Sequence, residues 1–172
     1  SETTSETSER NKTAWSKAKD KMYDLHQLIN SHESKLREFF NWLGQSRKPI
    51  QFYELQVDTS LLSGYASHLR YRFGLLFDAA ERVPFSKIKI NGHKMEMIEL
   101  CNEIGKHFMV LENQIKRLYK KYHELNNLEP SEDDEVLKAA LGYLECVKNK
   151  INAVVSCVET LDQPNCLSRA QL

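Results

Sequence analysis

Three side chains at helical spacing are the first place to look for chemistry in this sequence. Glu99, Glu103 and His107 recur every four residues, so on a helix they form one column that could hold a metal or relay a proton. A di-iron carboxylate bundle needs more than one such column: a Glu from each of two helices and Glu-x-x-His from each of two others. No second set occurs in the chain, and the column reads as a solvated face. The four cysteines make no CxxC and no Cys/His metal spacing. Cys146 and Cys157 fall on one helix about 16 Å apart, too far for a disulfide. Cys101 lies on an apolar stripe and Cys166 in the C-terminal segment. The expectation is reduced thiols in an intracellular protein, nuclear or cytoplasmic, in which case the glycosylation sequon Asn11-Lys12-Thr13 has no role. Neither a Gly-rich phosphate loop nor a nucleophile elbow is present. No cofactor and no metal is expected.

Arg117-Leu-Tyr-Lys-Lys-Tyr-His123 resembles the Arg-x(4–6)-His motif of the HEPN helical nucleases. The resemblance implies that Arg117 and His123 would act together on a phosphodiester. It covers only this short stretch, and positions six apart stand about 120° from one another around an ideal helix.

Charge is balanced overall, with 24 basic and 24 acidic side chains, so distribution matters more than net charge. Lys116, Arg117, Lys120 and Lys121 close one helix, and Glu129, Glu132, Asp133, Asp134 and Glu135 open the next. Each group suits the dipole of the terminus it occupies. Elsewhere, Arg82, Lys87, Lys89, His93 and Lys94 have no acid between them. Arg10, Lys12, Lys17, Lys19 and Lys21 would join them if the first two helices ran in opposite directions. Such an end would attract an acidic peptide or a nucleic-acid backbone.

The elements that position these residues are read from apolar spacing. Met97, Cys101, Ile104, Phe108, Leu111, Ile115, Leu118, Tyr122 and Leu125 follow steps of four and three, as do Leu137, Ala140, Leu144, Val147, Ile151, Val154, Val158 and Leu161. A mean step of 3.5 places each series on one helix face and suits knobs-into-holes packing. These predict helices over 95–125 and 136–161. The short join between them, with Asn126-Asn127, Pro130 and Ser131 as the N-cap, makes them an antiparallel hairpin. A first long helix over 12–43 carries Trp15, Ala18, Met22, Leu25, Ile29, Leu36, Phe39 or Phe40, and Leu43, with His32 in an apolar slot, and Gly44 ends it. A second helix runs over 58 to about 82, capped by Asp58, with Leu62, Tyr65, Leu69, Leu76, Ala79 and Val83 on its stripe and Arg72 in the slot between Leu69 and Leu76. Its further apolar set, Tyr71, Phe73, Leu75 and Phe77 around Gly74, leaves it apolar on more than one face. Residues 45–56 form a loop apolar enough to pack down on the bundle. Asn91-Gly92 marks a tight turn ahead of the third helix.

The fold expected is all-α: four long helices with heptad-type packing, the last two a hairpin and a long packed loop after the first. Residues 1–11 read as a flexible tail, 12–162 as one domain and 163–172 as a second tail. No apolar run is long enough to span a membrane. The expected function is a non-catalytic interaction module of a scaffold or regulatory protein, nuclear or cytoplasmic. It would bind a partner helix or short linear peptide in a groove involving Phe52, Tyr53, Tyr71 and Leu75. The alternative is nucleic acid or another polyanion held by residues 10–21 and 82–94, through Arg82, Lys87, Lys89 and Lys94. A HEPN-like nuclease stands behind both. The stripe of the first helix could also pair with a copy of itself, giving a homodimer.

Overall fold

The computed structural model describes residues 4–45, 53–81, 87–131 and 134–161; of these, residues 4–11, 32–33, 53–60, 81 and 87–88 are described by backbone alone. The regular elements among them are five helices: α1 (Thr4–Asn30), α2 (His32–Gly44), α3 (Tyr53–Glu81), α4 (Lys87–Leu125) and α5 (Glu135–Glu159). No strand occurs among the described residues, so Tyr71–Phe77, whose alternation could suit a strand, is helical. α1 packs on α3 and α5, α4 packs on the same two helices, and α2 leans on α5 and α4.

The apolar stripes turn inward as their spacing requires. From Met97 to Leu118 every stripe residue of α4 is buried, and the α5 series from Leu137 to Leu161 is buried throughout. On α1 and α2, Trp15, Ala18, Met22, Leu25, Ile29, Leu36, Phe39 and Leu43 join the same core. The sequence left the direction of the second helix open. Trp15 packs edge-on to Phe77, with ring centroids 5.5 Å apart, whereas Tyr23 meets Arg70. Numbering therefore rises along α1 as it falls along α3, and the two run in opposite directions.

Three helix starts differ from the sequence reading. α4 begins at Lys87, with Asn91 and Gly92 inside it instead of in a turn. The reason is that Ile90, Lys94, Met97 and Cys101 continue the four–three stripe, and Ile90 is buried. Its burial, together with the length of the helix it extends, outweighs the local turn preference of Asn-Gly. α3 begins at Tyr53, ahead of the expected cap Asp58, so Tyr53–Gln56 leave the loop; residues 46–52 lie outside the described residues. α1 is helical from Thr4, ahead of Lys12.

The join between α4 and α5 follows the asparagine signal. Asn127 adopts a left-handed φ of 55°. Its N–H donates to the Glu124 carbonyl at 3.3 Å, and the Leu128 N–H donates to the His123 carbonyl at 2.8 Å. This is the Schellman pattern, which satisfies carbonyls left over at a helix end. The cap of α5 is Asp134, whose Oδ1 accepts the Val136 N–H at 2.9 Å, and not Ser131. The Ser131 backbone is held by Tyr119 instead, whose hydroxyl donates to its carbonyl at 2.8 Å and accepts its N–H at 3.1 Å.

The expected first helix is broken at Ser31. The run Asn30-Ser31-His32 consists of weak helix formers. The Ser31 hydroxyl donates to the Leu28 carbonyl at 2.7 Å and its N–H reaches the same oxygen at 3.2 Å. Tyr143 of α5, buried beneath the break, donates its hydroxyl to that carbonyl at 2.8 Å. Burial pushes the Tyr143 phenol pKa upward, so the hydroxyl stays a donor. A carbonyl drawn into side-chain bonds is one recognised cause of a kink. Here it lets α2 turn towards α4. The side chain of His32 lies outside the described residues.

Candidate functional site

The face between α1 and α3 departs from this regular packing. α3 buries Leu62, Ala66, Leu69, Phe73 and Leu76, yet carries further apolar side chains. Tyr71 is 62% exposed, Phe77 39%, and Tyr23 on α1 51%. Met22, Phe73 and Gly74 lie with Tyr23 and Phe77 around a groove of about 240 Å³, which Lys19, Arg70 and Asp78 complete. Trp15 backs its wall, packed against Phe77 and, at 6.2 Å, against Phe73.

Gly74 shapes the groove. Glycine inside a helix costs about 1 kcal/mol relative to alanine. A Cβ added at Gly74 would meet nothing within 4 Å, so close packing does not demand the glycine. Its effect is to leave the groove open. The Arg70 guanidinium lies 6.0 Å from the centroid of the Tyr23 ring, within cation–π range. His26, a turn further along α1, has its pKa lowered by burial and, second, by Arg70. Among the described residues neither Lys19 nor Arg70 has an ion-pair partner.

None of the four expected partner-binding residues lines this groove. Tyr71 is exposed and shares a strip of α3 with Gly74 and Asp78 by i, i+3, i+7 spacing, while Leu75 is half-buried on the side of α3 that carries His68. Tyr53 lies eighteen positions before Tyr71 on the same helix, about 27 Å away at 1.5 Å per residue. Phe52 lies outside the described residues, as does the side chain of Tyr53. The sequence reading missed Met22, Tyr23, Lys19 and Arg70. Two signals were available: an exposed aromatic off the α1 stripe, and a glycine in the middle of an apolar helix.

The expected polyanion site divides. Arg82 lies outside the described residues, Lys87 opens α4 with its side chain outside them, and Lys89 is exposed. Lys94 is half-buried in a stripe position. Its ammonium donates to the carbonyls of Leu161 at 2.8 Å and Glu159 at 3.1 Å. It neutralises the C-terminal end of α5, as cations at helix C-termini do.

Among the residues that could do chemistry, the two histidines are engaged structurally. His107 Nε2 lies 3.1 Å from the Tyr65 hydroxyl, while Glu99 and Glu103 are exposed. Among the described residues no group of three or more His, Cys, Asp or Glu could hold a metal ion. His123 is only 6% exposed, and its Nδ1–H donates to the Tyr119 carbonyl at 2.9 Å. Its ring sits among Trp42, Tyr119 and Tyr122, and Trp42 stacks on Tyr122 at 3.8 Å. Arg117 is exposed, so the two residues of the HEPN-like motif do not share one accessible face. Cys101, Cys146 and Cys157 are free thiols. Burial pushes the Cys101 thiol up to about 12.

No helix among the described residues is long and apolar enough to cross a membrane. No family model, curated protein or solved structure matches the chain.

Proposed function

We propose that the chain is a non-catalytic helical interaction module of an intracellular scaffold or regulatory protein, holding a partner helix or short linear peptide on the α1/α3 face. The observation that carries this reading is the open apolar groove at Gly74, lined by the exposed rings of Tyr23 and Phe77, with the exposed Tyr71 on the same helix as Phe77. Exposed aromatic surface beside a rigid frame is the usual form of a helix-in-groove or linear-peptide site. The frame, in the same reading, is an up-and-down antiparallel four-helix bundle with heptad-type seams, in which α4 and α5 form a hairpin. Its support is the order of cross-helix contacts: Tyr119 with Ser131, Glu112 with Lys148, and Lys94 with Glu159. The free thiols agree with a reducing compartment, cytoplasmic or nuclear. Polyanion binding through Lys94 would compete with the end of α5. A homodimer would need a face other than the α1 stripe, which the core occupies.

A proximity-labelling and pull-down experiment in cells tests the reading. A partner captured by the full chain should be reduced by Tyr71→Ala and by Phe77→Ala. A partner held solely through residues 1–11 or 163–172, indifferent to both substitutions, would overturn it.

A further inference from the structure

Resting on the interaction-module reading, we infer that the α1/α3 groove recognises a short acidic amphipathic helix, with one large apolar anchor over Gly74 and a carboxylate against Arg70. Three features set the occupant's chemistry. The floor and walls are apolar, formed by Met22, Phe73, Tyr23 and Phe77 around a glycine that contributes no side chain. At about 240 Å³ the groove exceeds the roughly 150 Å³ of an apolar cavity that takes up benzene, so it accommodates one large side chain. The lining of α3 from Arg70 to Asp78 extends about 12 Å, a little over two helical turns, which limits the length of partner it can contact.

The rim sets the charge. Because α1 and α3 run in opposite directions, Lys19 and Asp78 share one end, and Arg70 stands beside Tyr23 at the other. No acid lines the Arg70 end, and neither cation has an ion-pair partner among the described residues. Two cations against one carboxylate repel a basic ligand and attract an acidic one. Arg70, held over the Tyr23 face, presents a planar fork suited to a carboxylate.

The test is selection of a random twelve-residue peptide library, displayed on phage, against the full chain and in parallel against Gly74→Leu. The Gly74→Leu substitution fills the groove floor. Leucine is a better helix former than glycine and nothing crowds the site, so the variant should fold with an unchanged or raised Tm. Selected peptides are synthesised and their binding is measured by fluorescence anisotropy. The expected result is net-acidic peptides with one large apolar residue, losing about tenfold or more in affinity on Gly74→Leu, as loss of a central anchor does. Arg70→Glu should weaken them by about fivefold, and exchanging the peptide's Glu for Lys should restore binding to Arg70→Glu. Peptides abolished by Gly74→Leu but indifferent to Arg70→Glu and to their own charge would overturn the acidic preference and leave the groove reading standing. Selection of no peptide, or of peptides insensitive to Gly74→Leu, would overturn both.

Discussion

The α4–α5 pair and the α1–α3 pair are both built from long helices, yet they use their surfaces differently. Along α4 and α5 the apolar stripes face inward from Met97 to Leu118 and from Leu137 to Leu161, with Met95, Met109 and Val110 left exposed off the stripe, and polar groups find partners across the pair. Glu112 lies 2.6 Å from Lys148 and 3.2 Å from Lys116, Lys94 caps α5, and Tyr119 holds the connecting segment. Between α1 and α3 the rings of Tyr23 and Phe77 stay exposed at the groove, a glycine lies inside α3, and Lys19 and Arg70 have no ion-pair partner among the described residues. Stripe regularity, capping and charge agree on one structure in the first pair, which marks a frame. The second pair carries apolar surface and charge that its own fold does not use.

Substitutions can break or sharpen that contrast. The largest effect is expected in the frame: Phe108→Ala, at a fully buried site, should lower stability by about 3–5 kcal/mol in urea denaturation. Tyr71→Ala on the groove side should stay within about 0.5 kcal/mol of the parent, and a loss comparable to Phe108→Ala would abolish the distinction. Tyr143→Phe should cost about 1–1.5 kcal/mol, because it removes the hydroxyl that holds the Leu28 carbonyl at the α1/α2 break. Hydrogen exchange around Ser31 should rise with it. Gly74→Ala should raise stability by about 0.8 kcal/mol, read as an increase in Tm, since the glycine serves the groove and not the packing. The smallest effect is one of pH. Glu112 has its pKa lowered, first by its hydrogen bond to Lys148 and also by Lys116, against the opposing effect of burial. The ionised carboxylate therefore favours the folded state. Its contribution is present above the ordinary carboxylate pKa and is lost as pH falls through the lowered value. Lys148→Met should flatten the acid side of the stability profile, measured as urea midpoints across that range.

Much of the frame was legible in the chain because heptad spacing is a local property. Every stripe residue from Met97 to Leu118 and from Leu137 to Leu161 is buried, and Asn127 takes the left-handed conformation its type suggests. The helix starts were less legible. Asn91-Gly92 signals a turn locally, but Ile90 finds a place in the core and the helix runs through both residues. At Ser31 the reverse holds. The stripe keeps its spacing through this point, with only His32 polar, and the broken turn is held by Tyr143, a residue more than a hundred positions away. For the groove, the excess apolar character of α3 pointed to Tyr71 and Leu75, whereas Phe73, Gly74 and Phe77 of the same set line it. Tyr23, Met22 and Lys19 were not legible, because only the pairing of α1 with α3 brings them to it. Residue type also misled in two places: the HEPN-like spacing ends in a histidine enclosed by aromatic rings, and Lys94, read as a free cation, closes a helix.

The sequence by itself determined that the chain is helical, which faces turn inward, and where α4 gives way to α5. Periodicity, capping chemistry and glycine or asparagine conformations act over a few residues, and they are written in the order of those residues. Tertiary structure alone decided the direction of α3 against α1, the bend at Ser31, and which exposed side chains lie together as a groove. Those depend on contacts between positions far apart in the chain. Read from the sequence as residues 45–56, the connection after the first helix could extend about 40 Å, so nothing local to it fixes where Phe77 and Tyr23 meet.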